Sequence, residues 1–142
     1  MADAAVLIYH MKEDRMRRLK EVCSSMGIRA VPVDREAERA PVGLLSGMLD
    51  PVKLARSASG QMQENRGPKE IDEEMIVMAG FTEQLFNSFL DRLKEKTLRI
   101  DLKAVQTETN LYWSGEMLQA ELKRERELYR NMMHMNSPAR PL

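Results

Sequence analysis

The chain lacks most features that would place it in a specialised compartment. Cys23 is its only cysteine, so no internal disulfide can form, and a reducing environment is expected. No stretch approaches the roughly 18 apolar residues that a membrane-spanning helix needs. The 22 basic and 22 acidic residues cancel, which leaves no net field to attract nucleic acid or an anionic membrane. We therefore predict a cytoplasmic protein without nucleic-acid or membrane partners.

The motifs of common enzyme classes are also missing. The sequence contains no phosphate-binding glycine loop, dinucleotide-binding glycine turn, nucleophile elbow or Cys/His cluster. His10 has no Asp, Glu or Cys at metal-ligand spacing, so we interpret it as a surface or packing residue. Cys23 falls on the apolar stripe of a predicted helix, where a buried thiol is expected. His134 is interpreted as part of a helix end. We predict no catalytic residue, metal or cofactor.

The first part of the chain predicts strands and helices in alternation. Residues 5–11 form an apolar run typical of a strand covered on both faces. Apolar residues then recur at helical spacing over 16–26. A second strand is expected over 28–34, at a sheet edge because Pro32 cannot donate to a ladder. Residues 42–49 resemble a short helix.

The second part repeats this order. Residues 74–81 form another apolar strand, and Thr82 is positioned to cap a helix with its apolar stripe over 85–93. Residues 99–105 alternate between apolar and polar types, which is typical of a half-exposed strand. The residues expected on its buried face are Ile100, Leu102 and Ala104. A charged helix over 117–132 follows.

The two parts align when one is shifted by 70 positions, and the last helices align after about three further residues. We predict two βαβα halves, at 1–55 and 71–131, joined by a flexible linker over 56–70 and followed by a frayed tail over 132–142. The alignment can be explained by an internal duplication or by two βαβ units that share a hydrophobic pattern without a common origin. Each half is too small for a good core. We therefore expect one structural domain.

The fold class predicted is α+β. The two fully apolar strands should be central, with the other two at the edges of one four-stranded sheet. Two crossover helices then suggest a ferredoxin-like sandwich with strand order 4-1-3-2 and additional helices. An open parallel α/β sheet is the alternative.

One loop carries the candidate site. The residues of interest are Lys103, Thr107, Thr109, Asn110 and Trp113, between a strand and a helix. Helix N-terminal amides, hydroxyls and Lys103 could hold an anionic group. Thr and Asn are also preferred capping residues, and Trp113 could attach the loop to the core, so spacing alone favours a cap.

The same residues carry a resemblance. The string Lys103-Ala104-Val105-x-Thr107-x-Thr109-Asn110-x-x-Trp113, with the apolar strand at 75–78 and the helix beyond 118, resembles a family of small bacterial proteins known only as a domain of unknown function. The resemblance covers residues 73–131, and the element Val42-Gly43-x-Leu45-x-Gly47 is also similar. The resemblance implies a bacterial cytosolic protein with no assigned activity. Because the loop residues belong to the shared string, they are stronger candidates for a functional site than a helix cap alone would make them.

Two functions follow. The first is a non-enzymatic small-ligand-binding or regulatory module that forms a homodimer and holds a small anionic ligand near the loop. The alternative is an enzyme or enzyme subunit that acts on a phosphorylated metabolite through Lys103, Thr107 and Asn110. A nucleic-acid binder ranks last, because Tyr9 and Phe81 are the only aromatic residues near the central strands, and both lie at or near strand ends.

Overall fold

One four-stranded sheet organises the chain. The computed structural model describes residues 4–50, 52 and 71–135, so the predicted linker at 56–70 lies outside the described residues. The strands are β1 Ala5–Tyr9, β2 Arg29–Val33, β3 Met75–Ala79 and β4 Leu102–Val105. The helices are α1 Glu13–Ser25, α2 Val42–Leu45, α3 Glu83–Glu95 and α4 Gly115–Met135. Two 3-10 turns, Arg35–Ala37 and Asn110–Tyr112, precede α2 and α4.

The strand order is β2-β1-β3-β4, with parallel pairing inside each half and antiparallel pairing between β1 and β3. The fold is α+β, and β1 and β3 are central as predicted. The ferredoxin-like order 4-1-3-2 is wrong, and so is the fully parallel alternative. Each crossover returns the chain beside the strand that it has just left, whereas a ferredoxin-like order would place each edge strand beside the other half's central strand.

Helices cover both faces of the sheet, which explains why β1 and β3 are apolar throughout. On one face, Val6, Ile8, Ile76 and Met78 form a core with α1 and α3. On the other face, Leu7, Tyr9, Met75 and Val77 form a second core with α2 and α4. We call these the α1/α3 face and the α2/α4 face. Every residue of β1 and β3 is buried.

Helix α4 is attached to the start of β3 by three polar side chains. The Gln119 Oε1 atom accepts hydrogen bonds from the backbone amides of Asp72 and Glu73 at 3.1 and 3.2 Å. The Arg126 guanidinium donates two hydrogen bonds to the Glu73 carboxylate at 3.1 and 2.9 Å. Lys123 forms an ion pair with Asp72. Because residues 119, 123 and 126 share one helix face, this contact fixes the rotation of α4 about its axis.

The two halves correspond closely in position. Strands β1 and β3 and helices α1 and α3 have equal lengths and begin 70 residues apart. His10 and Gly80 both have positive φ angles, of 57° and 77°. Gly27 and Thr97, which follow the two helices, have φ angles of 73° and 55°. The correspondence therefore includes backbone details as well as element order.

Two local predictions need correction. Strand β4 begins at Leu102, three residues later than expected, and Ile100 packs in the α1/α3 core while Leu102 and Ala104 pack in the other. The alternation across 99–101 therefore belongs to a bend before the strand. Helix α4 continues to Met135, so 132–135 are helical where a frayed tail was predicted. The rest of that tail lies outside the described residues.

Candidate functional site

The predicted loop forms a turn that satisfies its own polar groups. The Thr107 hydroxyl accepts hydrogen bonds from the amides of Thr109 and Asn110, at 3.2 and 3.0 Å. In return, Asn110 Oδ1 accepts from the Thr107 amide at 2.8 Å. This reciprocal arrangement is typical of a capped helix start, and it orders the 3-10 turn that begins at Asn110.

Asn110 also protects the open edge of the sheet. Its Nδ2 atom donates to the carbonyl oxygen of Val105 at 3.1 Å. The Gln106 amide bonds to Met78 O, so by strand alternation the backbone groups of Val105 and Lys103 point away from β3. An unpaired strand edge invites pairing with another chain. The Asn110 side chain therefore satisfies one of the backbone carbonyl groups of β4 that face away from β3.

The end of the loop contacts the first half of the chain. The carbonyl oxygen of Trp113 accepts a hydrogen bond from the Val42 amide at 2.8 Å. A Cβ atom on Gly43 would lie 2.8 Å from Leu111 O, so only glycine allows this approach. The half-buried Trp113 packs against the α2/α4 core. The two elements that carry the resemblance, the loop and the stretch at 42–47, are thus in contact.

Lys103 lies apart from the rest of the predicted site. It pairs with Ile76 in the sheet register, so its side chain is on the α1/α3 face, opposite to Trp113. Its ammonium donates to Ile100 O at 2.6 Å, on the N-terminal side of β4. Thr107, Thr109 and Asn110 follow the other end of that strand. The structure thus brings Thr107, Thr109 and Asn110 together and separates them from Lys103.

Lys103 instead lines a groove between α3 and β4, which we call the α3–β4 groove. The groove has a cavity volume of about 430 Å³. Its apolar lining consists of Leu90, Leu93, Leu98 and Ile100. Leu93, Leu98 and Ile100 are almost fully buried, and Leu90 is half-buried, so they form the floor. The volume falls within the range of small-molecule sites, roughly 300 to 1,000 Å³.

The rim of the groove is positively charged. Lys94, Arg99 and Lys103 line it, and all three are exposed. None of the described lining residues is acidic. Arg99 also lines a neighbouring depression with Glu73, Glu74 and Asp101. Its Nε lies 3.7 Å from an oxygen of Asp101, and its side chain remains 88% exposed. The groove therefore combines an apolar floor with an excess of positive charge at its edge.

A three-residue insertion produces the groove. In the first half, residues 26–28 connect α1 to β2, whereas residues 96–101 connect α3 to β4. The first three positions of the two connections match, because Gly27 and Thr97 share a positive φ angle and Ile28 and Leu98 are buried. The additional residues are 99–101, of which Arg99 and Ile100 line the groove. The corresponding position in the first half has no such segment.

The remaining side chains that could react or bind a metal are Cys23, His10 and His134. Burial raises the pKa of the Cys23 thiol to about 12, which makes it unreactive at neutral pH. His10 is exposed at a positive φ angle. The side chain of His134 lies outside the described residues. Among the residues described, no three His, Cys, Asp or Glu side chains come close enough to hold a metal ion.

Sequence reasoning missed the groove residues on α3 and in the insertion. Leucines at helical spacing predict core, and Lys94 and Arg99 resemble ordinary solvated charges. The usable signal was the change in offset between the halves, from 70 residues at the first strand and helix of each half to 73 at the final helices. In the sequence that change places the additional residues only between the first helix and the final helix of the second half; the structure locates them before β4.

Comparison with known proteins agrees with the resemblance over the second half. Residues 74–129 match a domain of unknown function, DUF3783. The predicted likeness to an uncharacterised domain family is confirmed over this range, while the signature string and a bacterial origin stay predictions. No curated protein and no solved structure shows a significant match to the chain. In the described part of the chain, no helix has the length and apolar character needed to cross a membrane.

Proposed function

We propose that the protein is a non-enzymatic module that binds a small ligand in the α3–β4 groove. The observation that carries this proposal is the cavity of about 430 Å³, with its buried apolar floor and three exposed cations at the rim. Of the predicted site residues, only Lys103 remains a ligand contact in this proposal. The side chains of Thr107 and Asn110 instead order the turn, and Asn110 also protects the strand edge. Thr109 takes part through its backbone amide, and Trp113 attaches the loop to α2.

The outer edge of β4 offers few open backbone groups, which favours a small ligand in the groove over a peptide added to the sheet as a strand. Strand β4 has four residues, and Asn110 already occupies the outward carbonyl of Val105. A peptide that extended the sheet would need a longer run of open backbone groups. A compact ligand needs only the groove, whose apolar side chains are supplied by α3 and the segment before β4.

The enzymatic alternative requires Lys103 and Asn110 to contact one phosphorylated metabolite. The Lys103 ammonium bonds to Ile100 O before β4, whereas the polar groups of Asn110 bond to Thr107 and Val105 after it. A shared ligand would have to bridge the length of the strand, and Asn110 would have to give up its hydrogen bonds. This separation is why we favour binding without chemistry.

A thermal-shift screen with defined metabolites tests the proposal. The wild-type protein should be stabilised by at least one compound, and Leu90→Trp, which fills the groove from α3, should lose that response. Leu85→Trp is the matched control, because Leu85 is half-buried on the same helix but does not line the groove. Stabilisation that survives Leu90→Trp would contradict the proposed site. Turnover of the compound, followed by mass spectrometry, would contradict a non-enzymatic role.

Self-association, cytoplasmic location and internal duplication remain proposals. A homodimer is supported by the apolar side chains in the second half of α4, where Leu128, Tyr129, Met132 and Met133 are each more than half exposed. Duplication is supported by the shared 70-residue offset. Sedimentation analysis tests the first: Tyr129→Glu should convert a wild-type dimer to monomer, and a monomeric wild-type protein would exclude it.

A further inference from the structure

The chemical class of the ligand can be inferred from the two parts of the α3–β4 groove, on the basis of the proposed function. We infer that the groove binds a linear apolar chain that ends in a single anionic head group. The chain would lie on the floor formed by Leu90, Leu93, Leu98 and Ile100. These side chains are all aliphatic, so the described lining offers no aromatic ring on which a base or planar ligand could stack.

The head group would lie at the rim near Lys103. A lysine ammonium has three donors, and the Lys103 ammonium uses one of them for Ile100 O, which fixes its position. Its remaining donors, with Lys94 and Arg99 at the same rim, are available to a carboxylate or a comparable anion. Holding the ammonium in place beforehand lowers the entropic cost of binding.

The end of α3 limits the charge of the ligand. The groove includes Lys94 in the last turn of α3, where the helix dipole contributes roughly half a negative charge. This partial charge opposes an anion but is smaller than the three positive charges at the rim. One negative charge is therefore well accommodated at the rim of the groove.

Three probes with the same eight-carbon chain separate the contribution of the head group from that of the chain. Octanoate, octan-1-ol and octylammonium would be titrated into the full-length protein, with affinities measured by two-dimensional NMR. We expect octanoate to bind about tenfold more tightly than octylammonium, with octan-1-ol between them. Lys103→Gln should weaken octanoate about three- to fivefold and leave octan-1-ol unchanged.

Two controls make the result decisive. Lys20→Gln removes the same charge from an exposed position on α1 and should leave all three affinities unchanged. A triple variant, with Lys94, Arg99 and Lys103 each changed to Gln, should bind octanoate no better than octan-1-ol. If octylammonium binds as tightly as octanoate, the inference about the head group is wrong while the groove remains a binding site. If no probe perturbs the groove, the inference about the ligand class is wrong, and the thermal-shift screen decides the proposed function separately.

Discussion

The two halves of the molecule share a backbone plan but differ at two places. From β1 through α1, and from β3 through α3, element lengths and left-handed positions agree at an offset of 70 residues. The halves then differ in the connection before the edge strand and in the final helix, which has 4 residues in α2 and 21 in α4. The first difference opens the α3–β4 groove.

The frame of the fold and the candidate site have separate origins in the sequence. The frame depends on the apolar strands and helix faces that both halves possess. The groove depends on residues 99–101, which only the second half has. Substitutions in the frame should therefore change stability, and substitutions at the groove rim should change binding. Four predictions examine this division, from the largest expected effect to the smallest.

Gly115→Ala should have the largest effect on stability. A Cβ atom at Gly115 would lie 2.4 Å from a ring carbon of Tyr9, the fully buried last residue of β1. Because the fully buried ring would have to shift to admit a methyl group, we expect a loss of about 2 to 3 kcal/mol, measured by urea unfolding. The corresponding residue in the first half is Val42, the first residue of α2, where a side chain is accommodated. Unchanged stability would show that Tyr9 can move aside.

Exchanging the residues that follow the two helices should shift stability in opposite directions. Gly27 and Thr97 share a positive φ angle, and a branched side chain is strained there. Gly27→Thr should destabilise by about 1 to 2 kcal/mol, whereas Thr97→Gly should stabilise by up to about 1 kcal/mol. Thermal unfolding of both variants provides the measurement. Shifts of the same sign would contradict the equivalence of the two positions.

Asn110→Ala should lower stability and spare binding. The substitution removes the cap of the turn and the bond to Val105 O, which together contribute about 1 kcal/mol. Lys103→Ala should do the reverse, with little change in melting temperature and weaker octanoate binding. Asn131→Ala, at an exposed position of α4, is the control for Asn110. If Asn110→Ala binds octanoate less well at unchanged stability, the turn belongs to the binding site.

Acid should weaken the attachment of α4 to β3, with a small effect. The hydrogen bond from Lys123 lowers the pKa of Asp72, and that from Arg126 lowers the pKa of Glu73. A carboxylate with a lowered folded-state pKa stabilises the fold above its unfolded pKa. Its contribution is then lost as the pH falls from about 4.5 through the folded-state value. Because Arg126 and Glu73 are only partly buried and solvent screens their attraction, Arg126→Gln should cost only about 0.5 kcal/mol at pH 7 and less at pH 3. An equal loss at both pH values would exclude the ion pair as its cause.

The sequence predicted the parts that depend on periodicity. The apolar runs at 5–11 and 74–81 and the helical stripes that follow them correspond to β1, α1, β3 and α3. The edge position of β2 followed from Pro32, since proline removes a donor. Thr82 caps α3 as expected, with its side chain accepting from the Leu85 amide.

Features that depend on tertiary pairing could not be predicted in the same way. The predicted and the observed strand orders both place β1 and β3 in the centre of the sheet. Nothing in the residue pattern shows whether β2 pairs with β1 or with β3. Residues 99–101 alternate as a strand does, so the late start of β4 was missed. The site residues Thr107, Asn110 and Lys103 are close in sequence, but strand geometry directs Lys103 to one face and the loop folds beyond the strand end.

Methyl NMR of isoleucine residues during an octanoate titration tests the central claim most directly. Ile100 lines the groove in the inserted segment, whereas Ile28 is buried in the shorter connection of the first half. We predict that the Ile100 methyl resonance shifts with saturation while that of Ile28 stays unchanged, and that Leu90→Trp abolishes the shift. Octanoate binding that leaves Ile100 unmoved, or that shifts Ile28 equally, would contradict the assignment of function to the α3–β4 groove.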